Sequence, residues 1–485
     1  MHSSDKNTNQ LGILEIKEPV KKSMDEAGIP WVSIASLDKD GKIKAGVHSS
    51  EVAANDMENQ LTPETTFGAA SLSKPVFAYL VLKLIEDNKT GKVKKDELGE
   101  FKLPSSKKFD LDTPLHEVFP DIIKEFPAQD KDKAEKLTAR MVLAHTTGLP
   151  ITHDSRNGPI PFQFEPGTQY GYSGPGIACL QKVIEEITDS KLELLSQKYI
   201  FGKDAFDMPN SGFDKNKSVP SSGANSLRTT ATDYIKFIQG WLNDPALQDA
   251  FKPGQDDLTM KKSFLPEDWG IKDIKGKNTI DDIDRNHVSW GLGLGLQLDD
   301  KNKNEVVSAY HSGDMGEYRA WVAINVKEKS AIVFFSNSHN GHILAEKIIP
   351  PEIKLDHVYN FFFKTYGFAR NENELVKEAG NLTKEEKIEH DCGLRNGSLT
   401  GIVQTLSSNI SSTTKIQDTL SSQVLQSDSK SNLQSSVSPT HSSKATSTSP
   451  TTLNITANVI KPEVSSDNEK KRKSPTPFET RLTKK

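Results

Sequence analysis

Hydrophobic and polar positions recur with two periods along the first three quarters of the chain. Ile16, Val20 and Met24 have the spacing of one helix face, and Gly28 with Pro30 ends the run, so residues 16–27 predict a helix. Trp31-Val32-Ser33-Ile34-Ala35 predicts a strand, Asp38-Lys39-Asp40-Gly41 a turn, and residues 42–47 a second strand. Three more strands are expected at residues 306–310, 317–326 and 331–336, the last two joined by the charged turn Lys327-Glu328-Lys329. Short connections of this kind favour antiparallel pairing. Helical spacing dominates between the two strand groups, as in Phe77, Leu80, Val81, Leu84, Ile85 and again in Ile177, Leu180, Val183, Ile184, Ile187. The pattern predicts one α/β unit over residues 15–368, a sheet built from both chain ends around a helical middle, after a flexible N-terminus at 1–14. There is no internal repeat.

Composition changes the picture near residue 400. Of the 50 residues from 401 to 450, 23 are Ser or Thr and none is aromatic. Such a segment buries too little apolar surface to offset chain entropy, so residues 401–485 are expected to be a disordered tail. Near its end the tail carries Lys470-Lys471-Arg472-Lys473, followed by Ser474-Pro475, a candidate contact for an unknown protein partner. Residues 369–400 read as a polar segment with a candidate helix. The low hydrophobic fraction of the whole chain, 34%, agrees with that division.

Charge and cysteines exclude several classes. A net charge of −5 over 485 residues argues neither for a nucleic-acid partner nor for a membrane surface, and no nucleic acid is expected. No apolar run approaches the ~18 residues of a membrane span, and the first residues lack a basic-then-apolar leader. The expectation is a cytoplasmic protein, with non-classical secretion a compatible route. Cys179 and Cys392 cannot build a disulfide framework, and no C-x-x-C pair exists. His339-Asn340-Gly341-His342 has loop spacing and no carboxylate partner is expected nearby, so no metal site is read there. No cofactor is expected.

The candidate chemistry begins at Ser71-Leu72-Ser73-Lys74. Small residues precede it and a buried apolar helix follows, with Pro75 in the first turn. Ser71 is expected to open that helix, with Lys74 one turn on along the same face. A serine hydroxyl needs a base, and a desolvated lysine amine can be one. The S-x-x-K pattern also begins at Ser3, Ser36, Ser105 and Ser427, so its setting and not the pattern singles out Ser71. Pro166-Gly167 leads to Tyr170-Gly171-Tyr172-Ser173-Gly174 at the start of another apolar helix, where Tyr172 is a candidate proton relay. Tyr310-His311-Ser312-Gly313-Asp314 is expected between two late strands. There Gly313 lets the backbone approach a substrate, and the Asp314 amide could complete an oxyanion hole with that of Ser71.

These boxes, in this order, resemble those of the serine β-lactamase-like superfamily, which includes class C β-lactamases, D-alanyl-D-alanine carboxypeptidases and related esterases. That family carries S-x-x-K, then Y-x-N, then K-T-G or H-x-G. Leu111-Asp112-Thr113-Pro114-Leu115, His145-Thr146-Thr147-Gly148-Leu149-Pro150, residues 227–237 and Trp290-Gly291-Leu292-Gly293 are similar to its intervening segments. The resemblance covers about residues 15–345. It implies a β-lactamase/transpeptidase-like fold, a five-stranded antiparallel sheet flanked by helices with a helical subdomain beside it. It implies Ser71 as acylated nucleophile, Lys74 as its base, Tyr172 as proton shuttle and His311 in the third box, with His145 and Gly148 in a structural turn.

One position departs from the family. Gly174 stands where the family usually has Asn, which removes a hydrogen bond to a substrate amide and to the lysine. Ser173 or a water could substitute. Two readings stay open. One is a serine hydrolase acting on a small-molecule or peptide ester or amide, with esterase chemistry favoured over true β-lactamase chemistry. The other is a catalytically inactive binding or scaffold protein, for which Gly174 and the acid at Asp314 speak. The polar insert 243–286 is expected to form a wall or lid of the groove.

Overall fold

The computed structural model describes residues 12–54, 61–213, 220–253 and 282–366, all within the unit Met1–Gln417. The strands in chain order are β1 Gly12–Ile13, β2 Trp31–Leu37, β3 Ile43–Ser49, β4 Phe67–Gly68, β5 Arg228–Thr229, β6 Val288–Trp290, β7 Gly295–Leu298, β8 Val306–Met315, β9 Tyr318–Asn325 and β10 Ser330–Ser336. Eight of them form one sheet in the order β1-β3-β2-β10-β9-β8-β7-β6, and β4 with β5 makes a separate ribbon. The first and last parts of the described chain meet in the middle of the sheet, where β2 runs antiparallel to β10 with Ala35 opposite Val333.

Two expectations are corrected. The sheet has eight strands and is mixed, not five-stranded and antiparallel: β7 and β6 extend one edge, and β1 adds to the other, parallel to β3. The added strands are two to four residues long, and Gly291 and Gly293 lie between β6 and β7, so they carry too little period-2 pattern to be read. Second, His311-Ser312-Gly313 is not a connection. It lies inside β8, whose ladder with β9 continues through His311 opposite Val322 to Met315 opposite Tyr318.

Successive side chains of a strand face opposite sides, and here both sides are covered. Ala320, Val322, Val333 and Phe335 belong to one core with residues of the helices Ser73–Lys89, Gly174–Thr188 and Ala231–Asn243. Trp321, Ala323, Ile332 and Phe334 belong to the other, with Val20 and Met24 of the helix Glu18–Glu26 and Val358 of the helix Asp356–Tyr366. That is why β10 reads as an almost unbroken apolar run. The candidate polar helix at 369–400, the tail 401–485, the first eleven residues and residues 254–281 of the polar insert lie outside the described residues. Among the described residues no helix is long and apolar enough to cross a membrane.

Phe335 is fully buried between the rings of Phe67 (centroids 6.5 Å apart) and Tyr234 (5.8 Å). Phe335→Ala should lower stability by about 3–5 kcal/mol, read as a lower urea midpoint at unchanged slope. A loss below about 1 kcal/mol would contradict this packing.

Candidate active site

The turn that carries Ser71 is held from outside itself. β4 pairs with β5, Phe67 opposite Thr229, and the Ala69 N–H then donates to the Leu227 carbonyl at 2.8 Å. Ala70 follows with φ +48°, a left-handed conformation that costs a non-glycine residue energy. The kink places Ser71 in the single 3₁₀ turn Ala70–Leu72, ahead of the helix Ser73–Lys89 and not at its first position as expected. The buried Ser73 hydroxyl donates to Ala70 O (2.7 Å) and accepts from Leu227 N–H (3.0 Å). The Tyr234 hydroxyl donates to Leu72 O at 3.0 Å.

Lys74 projects from the start of this helix into the protein. Its Nζ donates to Ser71 Oγ at 3.0 Å and to the Ala224 carbonyl at 2.8 Å. Lys74 is 3% exposed, and burial pulls its ammonium down to about 7. Near neutral pH a large share is therefore free amine, which can accept a proton from the serine. The Nζ also lies over the Tyr172 ring, 4.8 Å from its centroid.

Tyr172 is wedged among other rings. His145 lies 4.3 Å away between centroids, Trp290 6.0 Å and His311 6.1 Å. The His145 Nδ1 accepts the Ser173 N–H at 3.2 Å, and its carbonyl accepts the Gly171 N–H at 2.8 Å. His145 thus brackets the tyrosine from both sides in sequence. Burial holds its imidazole well below the usual range, helped by the nearby Lys74 and His311, so it is a neutral scaffold residue.

His311, Gly313 and Asp314 reach the site along β8. A Cβ on Gly313 would sit 2.6 Å from Ala69 O and 3.4 Å from Ala70 Cβ. Only glycine lets the strand lie this close to the Ser71 turn. The Asp314 carboxylate is paired with Arg319 Nη1 at 3.0 Å and lies 3.2 Å from His342 Nε2. His342 therefore does have a carboxylate neighbour, brought by the fold from 28 residues away, which corrects the reading of the His339–His342 loop. At His311, Nδ1 lies 2.8 Å from the Ser312 carbonyl, which can only accept, so Nδ1 carries the proton and Nε2 is a bare acceptor. Burial, with the Lys74 charge, pushes this imidazole down to about 3.

At Gly174 the reason for glycine is local. A Cβ there would stand 3.2 Å from Ile151 O, and the Gly174 N–H already donates to that carbonyl at 3.0 Å. Ser173 cannot replace a missing Asn. Its hydroxyl caps the helix Gly174–Thr188 by accepting the Gly176 N–H at 3.0 Å, and it donates to Pro150 O at 2.8 Å.

Ser71, Lys74, Tyr172, Gly174, His311 and Asp314 all line one cavity of about 950 Å³. Gly313 is behind its wall against Ala69. Sequence reasoning missed several members. Ala224 contributes only a backbone carbonyl, which has no side-chain signature. Ser73, Tyr234 and Arg319 act through contacts across the fold. The expected wall from the insert 243–286 does not line the cavity with its described residues, whereas residues 151–153, residues 158–160 and Asn225 do.

A family model described as Beta-lactamase matches residues 16–347. Similar solved structures include D-amino acid amidase from Ochrobactrum anthropi SV3 complexed with L-phenylalanine, at 18% identity and TM-score 0.45 over 66% of this chain and 90% of that one. SurE with D-Leu follows at 18% identity and TM-score 0.46, over 70% and 74%. A class C beta-lactamase matches at 14% identity and TM-score 0.46, over 70% and 92%. No curated protein matches the chain.

Ser73→Ala leaves the buried Leu227 N–H without its acceptor. It should lower stability by about 1–3 kcal/mol, measured by denaturant unfolding, while Ser73→Thr, if accommodated, retains most of it. An unchanged midpoint in Ser73→Ala would show that the clamp on the turn is not energetically important.

Proposed function

The chain belongs to the beta-lactamase family over residues 16–347, and from that membership we propose that it is a serine hydrolase opening an ester or amide bond through an acyl-enzyme on Ser71. The 3.0 Å hydrogen bond between Lys74 Nζ and Ser71 Oγ, made in a buried site, carries this reading. When Lys74 is a free amine the bond reverses, and Oγ–H donates to Nζ. The amine removes that proton as Oγ attacks the carbonyl carbon. As the bond from the carbonyl carbon to the leaving group breaks, Tyr172, whose ring lies under Nζ, gives its hydroxyl proton to the departing atom and takes the serine's proton from the Lys74 ammonium. The amides of Ser71 and Asp314 receive the oxyanion, at the close approach that Gly313 permits. Water attacks the acyl-enzyme by the same relay in reverse.

A negative side chain beside a developing oxyanion is unfavourable, and that was one ground for a non-catalytic scaffold. The Arg319 guanidinium at 3.0 Å offsets the Asp314 charge, which weakens that ground. Substrate preference follows from two other residues. Gly174 supplies no side-chain amide, and its neighbour Ser173 is committed to the helix cap. His311 is neutral and turns an acceptor, not a cation, toward its surroundings. With no side-chain amide at position 174 and no cation at position 311, this reading favours simple esters over penicillins or peptides; the side-chain amide of Asn225 and the ammonium groups of Lys124 and Lys182 line the same cavity.

A fluorophosphonate probe should add mass on Ser71 of the full chain, and none in Ser71→Ala. Lys74→Ala should slow labelling by about 10²–10⁴-fold. Folded protein that takes up no label would overturn the reading. Acylation by p-nitrophenyl butyrate should fall as pH drops through about 7, because protonated Lys74 cannot accept a proton. A rate that is flat through that range would remove Lys74 as the base. A chromogenic cephalosporin run beside the ester should be the poorer substrate.

A further inference from the structure

A second group of imidazoles and carboxylates lies away from the catalytic cavity, and none of its members lines that cavity. Three stretches supply it. Asp284 and His287 come from the helix Asp282–His287, Asp300 from just beyond β7, and His357 and Asn360 from the helix Asp356–Tyr366. His357 Nδ1 is 2.9 Å from Asp284 Oδ1, and its Nε2 is 2.9 Å from Asp300 Oδ1. Asn360 Nδ2 donates to the same Asp284 oxygen at 3.0 Å. The His287 and His357 rings face each other, centroids 4.3 Å apart. One donor atom each from His287, Asp300 and His357 lies within 4.8 Å of the others.

We propose that His287, Asp300 and His357 ligate a divalent transition cation, zinc foremost, as a structural clip joining the β6–β7 edge of the sheet to the helix Asp356–Tyr366. Two imidazoles and a carboxylate are the donor set that borderline cations such as zinc take. A metal-bound imidazole characteristically gives its other N–H to a carboxylate. Asp284, only 4% exposed and itself held by Asn360, occupies that place at His357 Nδ1. This leaves Nε2, on the Asp300 side, to bind metal. With both imidazoles neutral the cluster carries the two negative charges of Asp284 and Asp300, which a dication cancels.

The distances are within reach of ligation. Zinc bonds of about 2.0–2.2 Å set tetrahedral donor atoms about 3.3 Å apart. The 2.9 Å contact opens by a few tenths of an ångström, and no pair closes by more than about 1.5 Å. The two rings, 14° from parallel, must splay, which is a side-chain rotation. The Asp300 side chain is 66% exposed, so the fourth position opens to water.

The full chain, stripped with chelator, is titrated with Zn²⁺ by calorimetry and with Co²⁺ by visible absorption. One equivalent should bind, with tetrahedral Co²⁺ bands, and a hundredfold excess over Kd should raise Tm by about 5 °C. Both effects should vanish in the double variant His287→Gln/His357→Gln. Asp284→Asn should keep the stoichiometry and weaken affinity by about 10–100-fold. Circular dichroism confirms that each variant is folded. If the double variant does not fold, Asp300→Asn, a change at an exposed side chain, must show the loss of affinity instead. No metal binding by the native chain, or binding undiminished in the folded variants, would overturn the proposal and leave His357 as a bridge between two carboxylates only.

Discussion

Shutting the Lys74 amine inside the protein is the constraint on which the site depends. A buried ammonium loses its hydration and must find polar partners or give up its proton. Here it has the Ser71 hydroxyl and the Ala224 carbonyl, and burial brings its proton affinity down to about 7. The same dryness that lowers the lysine's proton affinity and leaves a share of it as free amine near neutral pH also makes its position unforgiving. A shift of the Ser71 turn or of the Ala224 segment would leave a charge without partners.

The surrounding structure can be understood as what keeps those partners still. The strained Ala70 persists because Ser73 and Tyr234 fasten the carbonyls on either side of Ser71. The β4–β5 ribbon and the Ser73–Leu227 bond place residues 224–227 against the Ser71 turn, so the carbonyl that receives Lys74 and the hydroxyl that receives it move together. β8 comes from the opposite side, with Gly313 against Ala69. Strain at the turn, a dry amine and a close strand are one arrangement, in which each contact limits the freedom of the others.

Charge is handled with the same economy. His145 and His311, both buried near Lys74, are held neutral, so the lysine is not surrounded by further cations. Asp314, next to a proposed oxyanion amide, is matched by Arg319. At the far edge of the sheet the order is different, since His357 there lies between two carboxylates and its proton affinity is raised.

The linear pattern was enough for the central strands and the buried helices, because alternation and helical spacing report directly which faces must be covered. It was also enough to bring forward Ser71, Lys74, Tyr172 and His311 as candidates, the first three at or just before the start of a helix and His311 within β8. Tertiary structure alone decided the rest. The short β1, β6 and β7 have too few residues to show a period. The carbonyl of Ala224 has no residue-type signature. That the Ser173 hydroxyl meets the Pro150 carbonyl, that a side chain at position 174 would press on the Ile151 carbonyl, that Asp314 meets His342 and that His287 meets His357 are distances between separate segments of the chain. Such distances are set by how the two cores close on the sheet, and a one-dimensional pattern does not contain them.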